Sequence, residues 1–522
     1  MNVRRWPVLA RIDVPLAIFI VVAVAFQLWL YSVCTVVPAH HPLRGWEGWW
    51  DQSLYLKSAR AFAAFDLSEA QHWYPIGYAL FAAPFVRIFD DPFFVPNLVS
   101  LIVFAWAFQR YFRPLIGMTG VAIAFFGALV LPVMTLVPAA VKHILWLQFV
   151  VPWNSVPVAA LFMSLLCLVN ELQADDALSK DFLIGALVGA VAAIKPAELL
   201  PVTVLGLAYL TVTLHKRTAA WRRIGMAALG GIAVAGPVLA LSLYIHHGLS
   251  SPYTDLVGHV GMSLSDLPQR AVDLFIDAGP SFGEPYTALF GLLPWFAILA
   301  PLALVGAVLR PRELLVPVAL VAASFLTYLA YNDFTPKSLL HYFLIHYVVW
   351  TLPVIAASGL YMAVSVVRRP RWAIPSVVAI IVFCIIGAVR VELKPATPSH
   401  VDSREADGGH AFDLEFAAAT HLDAIDLPAT KAMEKVPLWD NPLKVEVDRE
   451  SLKLFYGYRL IHLSDRWRLI FTRPVDATRV SFWLPGIDTG QAVDIRPIRF
   501  GLRFASSPWA SHSSDLNVIA EK

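Results

Sequence analysis

Long apolar stretches separated by short polar segments dominate this chain of 522 residues. A helix needs roughly 20 mostly apolar residues to cross the hydrocarbon core of a membrane. The pattern therefore predicts a polytopic, all-α membrane protein with about 11 transmembrane helices. The predicted spans lie near residues 14–37, 93–109, 115–137, 152–170, 182–194, 198–214, 224–245, 286–309, 314–330, 342–366 and 373–390. The first span exceeds the roughly 7–15 apolar residues of a signal peptide, so we expect it to be retained.

Five clusters of basic residues stand out as the strongest along the chain. Short cytoplasmic loops are enriched in Lys and Arg, and eleven spans place all five clusters on one side. This count requires that the segment from Tyr74 to Phe89 does not cross the membrane. Its prolines, Pro75 and Pro84, favour short helices along the membrane surface. The clusters are Arg4/Arg5/Arg11, Arg110/Arg113, Lys216/Arg217/Arg222/Arg223, Arg310/Arg312 and Arg368/Arg369/Arg371.

The hydropathy falls abruptly after Leu393. We expect a transmembrane domain at 1–392, with a first periplasmic loop at 38–92, and a mainly β extracytoplasmic domain at 393–522. The pattern allows one helix near Phe412 to Ile425. Other segments alternate between apolar and polar residues, as the antiparallel strands of a small β-sandwich do; their aromatic residues either pack in the core or bind sugar. These segments are PLKVEV, RLIHL, RWRLIFTR, RVSFWLP and DIRPIRFGLRF.

The composition agrees with a membrane protein. The chain is 58% hydrophobic and only 15% charged, whereas soluble proteins average about 25% charged residues. Its formal net charge of +2 argues against a nucleic-acid partner. We expect a multi-pass membrane protein, with its polar loops and its C-terminal domain on the non-cytoplasmic face.

Several common chemistries lack their sequence motifs. The three cysteines, Cys34, Cys167 and Cys384, show neither metal-binding nor redox spacing. The sequence also contains no zinc-type cluster, no Walker A loop, no dinucleotide fingerprint and no nucleophile elbow. A cytoplasmic enzyme that uses nucleotide sugars is therefore disfavoured.

The first loop combines a carboxylate with aromatic residues. Asp51, Tyr55 and Ala59 recur at every fourth position, so on a helix they share one face. Asp51 either caps that helix or is the centre of a chemical site. Further along, HWYPIGYALFAAP places aromatic rings around a Pro-x-Gly turn, where they anchor the loop at the membrane interface or stack on a sugar. The candidate substrate-binding residues of the loop are Tyr55, His72, Trp73, Tyr74 and Tyr78.

Lys195 is the strongest candidate for binding an anion. It lies between two apolar runs, where an ionised group is costly and usually faces a cavity or a partner. Glu198 follows three residues later, so an ion pair within this turn is an equally weighted alternative. Lys142 and Lys337 also fall on the periplasmic side, where they contact a lipid phosphate or meet headgroups. The candidates are completed by His341 and His346, at the start of the tenth predicted span.

The order of these motifs resembles the GT-C superfamily of membrane glycosyltransferases. It comprises D-x-x-x-Y-x-x-x-A from Asp51, an aromatic-Pro-x-Gly-Tyr turn, a span ending in basic residues, and GALVGAVAAIKPAELL at Gly185 to Leu200. The stretch HYFLIHYVVWTLP is similar to the family's last core helix, which faces the donor. Members include protein O-mannosyltransferases and lipid A aminoarabinose transferases, which use polyprenyl-phosphate-linked sugars. The resemblance covers roughly residues 10 to 390 and indicates a superfamily without indicating a substrate.

The resemblance implies an inverting glycosyltransferase of the bacterial inner (cytoplasmic) membrane. Its active site and C-terminal domain would lie on the periplasmic side. Asp51 would deprotonate an acceptor hydroxyl, which attacks the anomeric carbon of a polyprenyl-phosphate sugar. A glycan, a lipid or a protein would accept the sugar. The donor phosphate would be bound by Lys195, Lys142 or Lys337, and the substrates would also contact Glu198, His341 and His346.

One departure from the family pattern concerns metal binding. Many relatives pair the loop aspartate with an adjacent acid, whereas Gln52 follows Asp51 here. Asp66 and Glu69, at the far end of the loop, are the remaining candidates for a second acid. We therefore assign no metal site, expect base catalysis by a single carboxylate, and leave a divalent cation open as a cofactor.

Two other classes of protein compete with the enzyme. A transporter or flippase of lipid-linked sugars usually shows two related halves and broken helices, and no internal repeat is visible in the sequence. A non-catalytic membrane scaffold that displays the C-terminal domain would not require the Asp51 loop or Lys195. Both alternatives predict that polyprenyl-phosphate sugars are not consumed.

Overall fold

The computed structural model describes residues 13–34, 37, 45–48, 50–130, 145–172, 177–215, 220–248, 251–277, 279, 288–331, 345–386, 389–406, 409–428, 443–452, 457–463, 466–485 and 494–504. The chain forms two compact units. The first unit contains Met1–Asp255, Trp295–Thr327 and Ile345–Ile380. The second contains Leu256–Pro294, Tyr328–Leu344 and Ile381–Lys522. Asp51 and Lys195 both belong to the first unit.

Helices precede all the strands in the described part of the chain. A helix satisfies its backbone hydrogen bonds internally, which lipid requires of a spanning segment. The first eight are α1 (Val14–Val33), α2 (Trp50–Ala63), α3 (Gly77–Ala82), α4 (Phe94–Leu129), α5 (Ser155–Glu171), α6 (Leu178–Ile194), α7 (Leu199–His215) and α8 (Ala220–His246). The others are α9 (Pro252–Val260), α10 (Leu267–Phe275), α11 (Leu289–Leu292), α12 (Phe296–Leu309), α13 (Pro311–Ala330), α14 (Ile345–Val348), α15 (Thr351–Arg368) and α16 (Ala373–Ile386).

Five of the described helices are long and apolar enough to cross a membrane, namely α1, α4, α8, α13 and α15. This supports the prediction of a helical membrane protein. Each of the eleven predicted windows overlaps a helix, but two of them fall on α4. Gly117 separates these two parts of α4, because its φ of 71° is not helical. The number of eleven spans stays a prediction.

The first loop folds into short helices. The segment from Tyr74 to Phe89 contains α3 and a single turn at Ala83–Phe85, which confirms the prediction of short helices. A Cβ atom added to Gly77 in α3 would lie 2.4 Å from the carbonyl oxygen of Ala193 near the end of α6. The loop therefore packs directly against the turn that carries Lys195.

In the described part of the C-terminal segment, eight antiparallel strands form one sheet, in the order β1-β8-β3-β7-β4-β5, with β2 paired to β3 and β6 paired to β7. The predicted strand segments are confirmed. The strands are β1 (Val389–Pro395), β2 (His400–Ala406), β3 (Gly409–Pro428), β4 (Lys444–Val447), β5 (Glu450–Leu452), β6 (Tyr458–His462), β7 (Arg466–Pro485) and β8 (Arg496–Phe504).

Strands β3 and β7 pair with each other from end to end. Their register shifts between Glu415 and Thr420 and between Leu422 and Ala424. One cluster of buried hydrophobic side chains contains residues of β3, β4, β6 and β7. The strands therefore form one continuous sheet, whereas the predicted β-sandwich has two separate sheets. The prediction of a helix near Phe412 to Ile425 is wrong, because this segment lies within β3. Its alanines favour a helix locally, but pairing with β7 overrides that preference.

Helices α6 and α8 approach each other closely through glycines. A Cβ atom on Gly185 would lie 1.7 Å from the carbonyl oxygen of Ala227. A Cβ atom on Gly230 would lie 2.0 Å from the carbonyl oxygen of Phe182. Small residues allow this approach of two backbones within a membrane. The positions of α6 and of the Lys195 turn depend on it.

We expect Gly185→Ala to destabilise the protein by about 1–3 kcal/mol, because the added methyl group must force two backbones apart. The measurement is thermal unfolding of the detergent-solubilised protein. Gly225→Ala is the matched control. Gly225 lies in α8, the helix that packs on α6, and a Cβ atom added to it meets nothing within 4 Å. Equal unfolding temperatures for the two variants would contradict this packing.

Candidate functional site

Asp51 lies in the first turn of α2, on the predicted helical face. Tyr55 and Ala59 on that face are buried. The hydroxyl of Tyr74 donates a hydrogen bond to Oδ1 of Asp51 at 2.5 Å. Because this contact reaches back from the turn before α3, it fixes the carboxyl in one position. Asp51 thus has a specific side-chain partner in addition to its place at the helix N-terminus.

Aromatic rings surround this hydrogen bond. The ring of Tyr74 stacks on Tyr55, with 4.6 Å between ring centres, and contacts Tyr253 at 4.5 Å. Tyr78 meets Tyr55 edge to face at 5.4 Å. These rings exclude water from one side of the Asp51 carboxyl. They also present a cluster of flat, amphipathic surfaces beside it.

The environment makes Asp51 a stronger base than an exposed aspartate. Burial raises the pKa of its carboxyl, and the hydrogen bond from Tyr74 opposes part of that rise. Burial also raises the pKa of the Tyr74 hydroxyl well above its usual value, so this group stays protonated and donates. A carboxylate with a raised pKa accepts a hydroxyl proton more readily.

A buried amide braces the aromatic cluster. The Tyr78 hydroxyl donates to Oδ1 of Asn97 at 2.7 Å. Asn97 in turn donates through Nδ2 to the carbonyl oxygens of Val150 and Val151, at 3.1 and 3.3 Å. Because buried polar groups must be paired, these bonds hold the first loop against the segment that leads into α5. Tyr78 therefore has a positioning role.

Gln52 takes part in the same bracing. It is buried, and its Nε2 donates to the carbonyl oxygen of Pro152 at 3.4 Å. Asp66 accepts hydrogen bonds from the backbone and hydroxyl of Ser68, and Glu69 is exposed. Within the described residues, no group of three or more His, Cys, Asp or Glu side chains is arranged to hold a metal ion.

Lys195 follows the last residue of α6. Its Nζ lies 2.8 Å from Oε1 of Glu198, and both side chains are buried. The predicted ion pair is therefore present. The ammonium group also lies 4.4 Å from the ring centre of Tyr347, a cation–π contact. The side chains of Tyr347 and Tyr253 share a hydrogen bond.

These contacts connect the two candidate chemical groups. A path of neighbouring side chains runs from Asp51 through Tyr74, Tyr253 and Tyr347 to Lys195. Every member belongs to the first unit. The structure thus places the candidate base and the candidate cation at the two ends of one aromatic cluster.

The predicted histidines have different surroundings. His346 stacks on Trp153, with 3.7 Å between ring centres, next to Tyr347. His72 is buried, contacts Ser58 Oγ through Nδ1 at 2.8 Å and the Asp66 carbonyl oxygen through Nε2 at 3.0 Å. It holds the loop to α2 and is not brought to Asp51. The predictions for Lys142, Lys337 and His341 lie outside the described residues.

Residues that local patterns do not reveal complete the cluster. Trp73 accepts a hydrogen bond from the backbone N–H of Tyr253 through its carbonyl oxygen, at 3.2 Å. This bond seats Tyr253 beside Tyr74. Tyr253, Tyr347 and Trp153 stand far from the first loop in sequence, so no periodicity joins them to it. A Tyr after Ser-Pro at the end of a long apolar helix is the one weak signal for Tyr253.

The chain matches no protein-family model, and no curated protein is significantly similar to it. The resemblance to the GT-C superfamily therefore depends on short motifs in a particular order.

Another buried carboxyl lies just before α4. Asp91 accepts hydrogen bonds from the Tyr31 hydroxyl at 3.2 Å and from the Phe93 backbone N–H at 2.9 Å. Burial raises its pKa to about 7, against the opposing effect of these bonds. Between pH 3.8 and about pH 7, the folded protein therefore holds a proton that the unfolded chain has lost.

The stability of the folded protein should therefore depend on pH. With a folded-state pKa of about 7 and an ordinary value of 3.8, stability should fall as the pH rises between these values and level off above them. The loss should be on the order of a few kcal/mol, since one pKa unit corresponds to about 1.4 kcal/mol. We expect Asp91→Asn to remove this fall, measured by thermal unfolding from pH 4 to pH 8. Parallel curves for the wild type and the variant would show that Asp91 titrates normally.

Proposed function

We propose that the protein is an inverting GT-C type glycosyltransferase of the bacterial inner membrane. It moves a sugar from a polyprenyl-phosphate donor to a periplasmic glycan, lipid or protein acceptor. One observation carries this proposal: the part-buried Asp51 carboxyl, fixed by Tyr74, lies in an aromatic cluster that reaches the buried Lys195. The order of the motifs along the chain supports the same class of enzyme.

The proposed reaction is a single displacement. The acceptor hydroxyl attacks the anomeric carbon as Asp51 takes its proton, and a new glycosidic C–O bond forms. The bond from the anomeric carbon to the phosphate oxygen breaks, and the electron pair leaves with the polyprenyl phosphate. Attack opposite to the leaving group inverts the configuration. Asp51 returns its proton to water before the next turnover.

Lys195 is proposed to bind the donor phosphate. Negative charge grows on the phosphate as the bond breaks, and a cation held nearby stabilises that charge. The Glu198 carboxylate neutralises the charge of Lys195 while no anion is bound. This pairing offsets the cost of burying the ammonium group. The ring of Tyr347 supplies a second contact for the ammonium group. His346, which precedes Tyr347 in the chain, helps to shape this end of the site.

The tyrosines are proposed to hold the sugar. Aromatic rings offer flat apolar faces that stack on a sugar, and their hydroxyl groups supply polar contacts. Tyr55 and Tyr78 orient Tyr74, while Tyr74 and Tyr253 lie between the base and the cation. Under this proposal, a sugar that stacks on these rings has Asp51 on the side of the acceptor hydroxyl and Lys195 on the side of the donor phosphate.

The direct experiment offers the purified protein a panel of polyprenyl-phosphate sugars with a membrane glycolipid fraction as the acceptor. Consumption of one donor with release of polyprenyl phosphate is the expected result. If every donor on the panel remains intact, the enzyme hypothesis fails and the transporter or scaffold alternatives gain support.

We expect Asp51→Asn to lower the transfer rate at least about 10²-fold, because the amide cannot accept the acceptor proton. An amide oxygen still accepts the hydrogen bond from Tyr74, so thermal stability should change little. Asp90→Asn is the matched control, since Asp90 is an exposed acid of the same loop. Transfer at the wild-type rate in Asp51→Asn would rule out this aspartate as the base.

We expect Tyr74→Phe to shift the acidic limb of the kcat/KM profile to higher pH. The hydrogen bond from Tyr74 stabilises the charged carboxylate and lowers the pKa of Asp51, so its removal raises that pKa further. Transfer then requires a higher pH to ionise the base. The profile is measured from pH 5 to pH 9. An unchanged limb would mean that the bond does not tune Asp51 during catalysis.

A further inference from the structure

We propose that the turn entering α5, from Trp153 to Ser155, binds the phosphate group of the polyprenyl-phosphate donor together with Lys195. This inference rests on the proposed function, because it names the lipid-linked phosphate as the ligand. It adds hydrogen-bond donors from the polar turn to a site that sequence patterns attribute to lysines alone.

Two polar side chains of this turn are buried without a hydrogen-bond partner. They are the indole N–H of Trp153 and the hydroxyl of Ser155, and each residue is 3% exposed. Neither group has a partner among the described residues. A buried donor with no partner carries a desolvation cost that native proteins usually avoid. A ligand that accepts hydrogen bonds would remove the cost at both positions.

The turn also begins a helix of 17 residues, Ser155–Glu171. The side chain of Asn154, at the N-cap position, makes no capping hydrogen bond. The N-terminus of a helix carries partial positive charge and favours anions. An indole N–H can donate but cannot accept. The turn is therefore suited to an acceptor with negative charge, which a phosphate group provides.

Contacts in the first unit tie this turn to both ends of the candidate site. The Pro152 carbonyl oxygen accepts a hydrogen bond from Gln52, the residue after Asp51. The backbone of Trp153 lies close to the Tyr78 hydroxyl. On the other side, the Trp153 ring stacks on His346, which is adjacent to Tyr347 in the chain.

The same contacts explain why the ligand should be the donor phosphate. The Tyr347 ring meets the Lys195 ammonium group, so the turn and the lysine lie around one cluster of aromatic side chains. A cation, a helix N-terminus and two unused polar groups together form a site for an oxyanion. Under the proposed function, the oxyanion that must bind here is the lipid-linked phosphate.

The test measures binding of undecaprenyl phosphate to the full-length protein in detergent. Trp153→Phe keeps an aromatic ring against His346 but removes the N–H, and Ser155→Ala removes the hydroxyl. Each variant should weaken binding by about tenfold or more, because each loses a hydrogen bond to a charged group. Binding of undecaprenol, which has no phosphate, should stay unchanged in both.

Trp46→Phe is the matched control. The Trp46 indole N–H is also buried without a partner in the described part of the chain, but this residue packs on Phe93. The control should bind undecaprenyl phosphate as the wild type does. A comparable loss in the control would assign the effect to altered packing and overturn the proposal.

The remaining outcomes separate this inference from the proposed function. Wild-type affinity in both Trp153→Phe and Ser155→Ala would overturn the inference while leaving sugar transfer untouched. An equal loss of binding for phosphatidylglycerol would assign the turn to lipid headgroups in general and would also overturn it. Tight binding of undecaprenyl phosphate that depends on both groups, in a protein that consumes no donor, would support the inference and defeat the proposed transfer activity.

Discussion

The hydrogen bond between Tyr74 and Asp51 is the interaction on which the arrangement of the candidate site depends. A carboxylate is costly to bury unless polar groups compensate it, and Tyr74 provides that compensation at 2.5 Å. Three residues after Tyr74, α3 packs closely on the end of α6 through Gly77. The same packing brings the Lys195 turn close to the loop. The hydrogen bond, the first loop and the Lys195 turn therefore lie in one packed region.

The charges of the site are balanced unequally. Lys195 and Glu198 form a buried ion pair, so this end of the cluster is close to neutral. At the other end, a tyrosine hydroxyl contacts Asp51, and burial raises the pKa of its carboxyl. A neutral hydrogen bond stabilises a carboxylate less than an ion pair does. Asp51 consequently keeps the basicity that an arginine or lysine partner would remove.

Local patterns predict much of this architecture, and they fail where distant segments meet. The period of four predicts the face that bears Asp51 and Tyr55, and prolines predict the short helices of the first loop. Alternation predicts the strands, but β3 (Gly409–Pro428) contains a run of alanines whose helix preference yields to pairing with β7. Tyr253 and Tyr347 join the site through contacts between remote segments. No local period records such contacts, because they follow from packing.

The polarity of the cluster also fits the geometry of an inverting displacement. The nucleophile and the leaving group must occupy opposite faces of the anomeric carbon, so a base and a phosphate site cannot share one position. Tyr74, Tyr253 and Tyr347 separate Asp51 from Lys195 while keeping both in one connected network. Among the described residues, the Trp153 indole N–H and the Ser155 hydroxyl of the α5 turn have no hydrogen-bond partner, and they add two polar groups to the Lys195 end of the cluster. A site built only to bury polar residues would instead pair such donors with the nearest carboxylate.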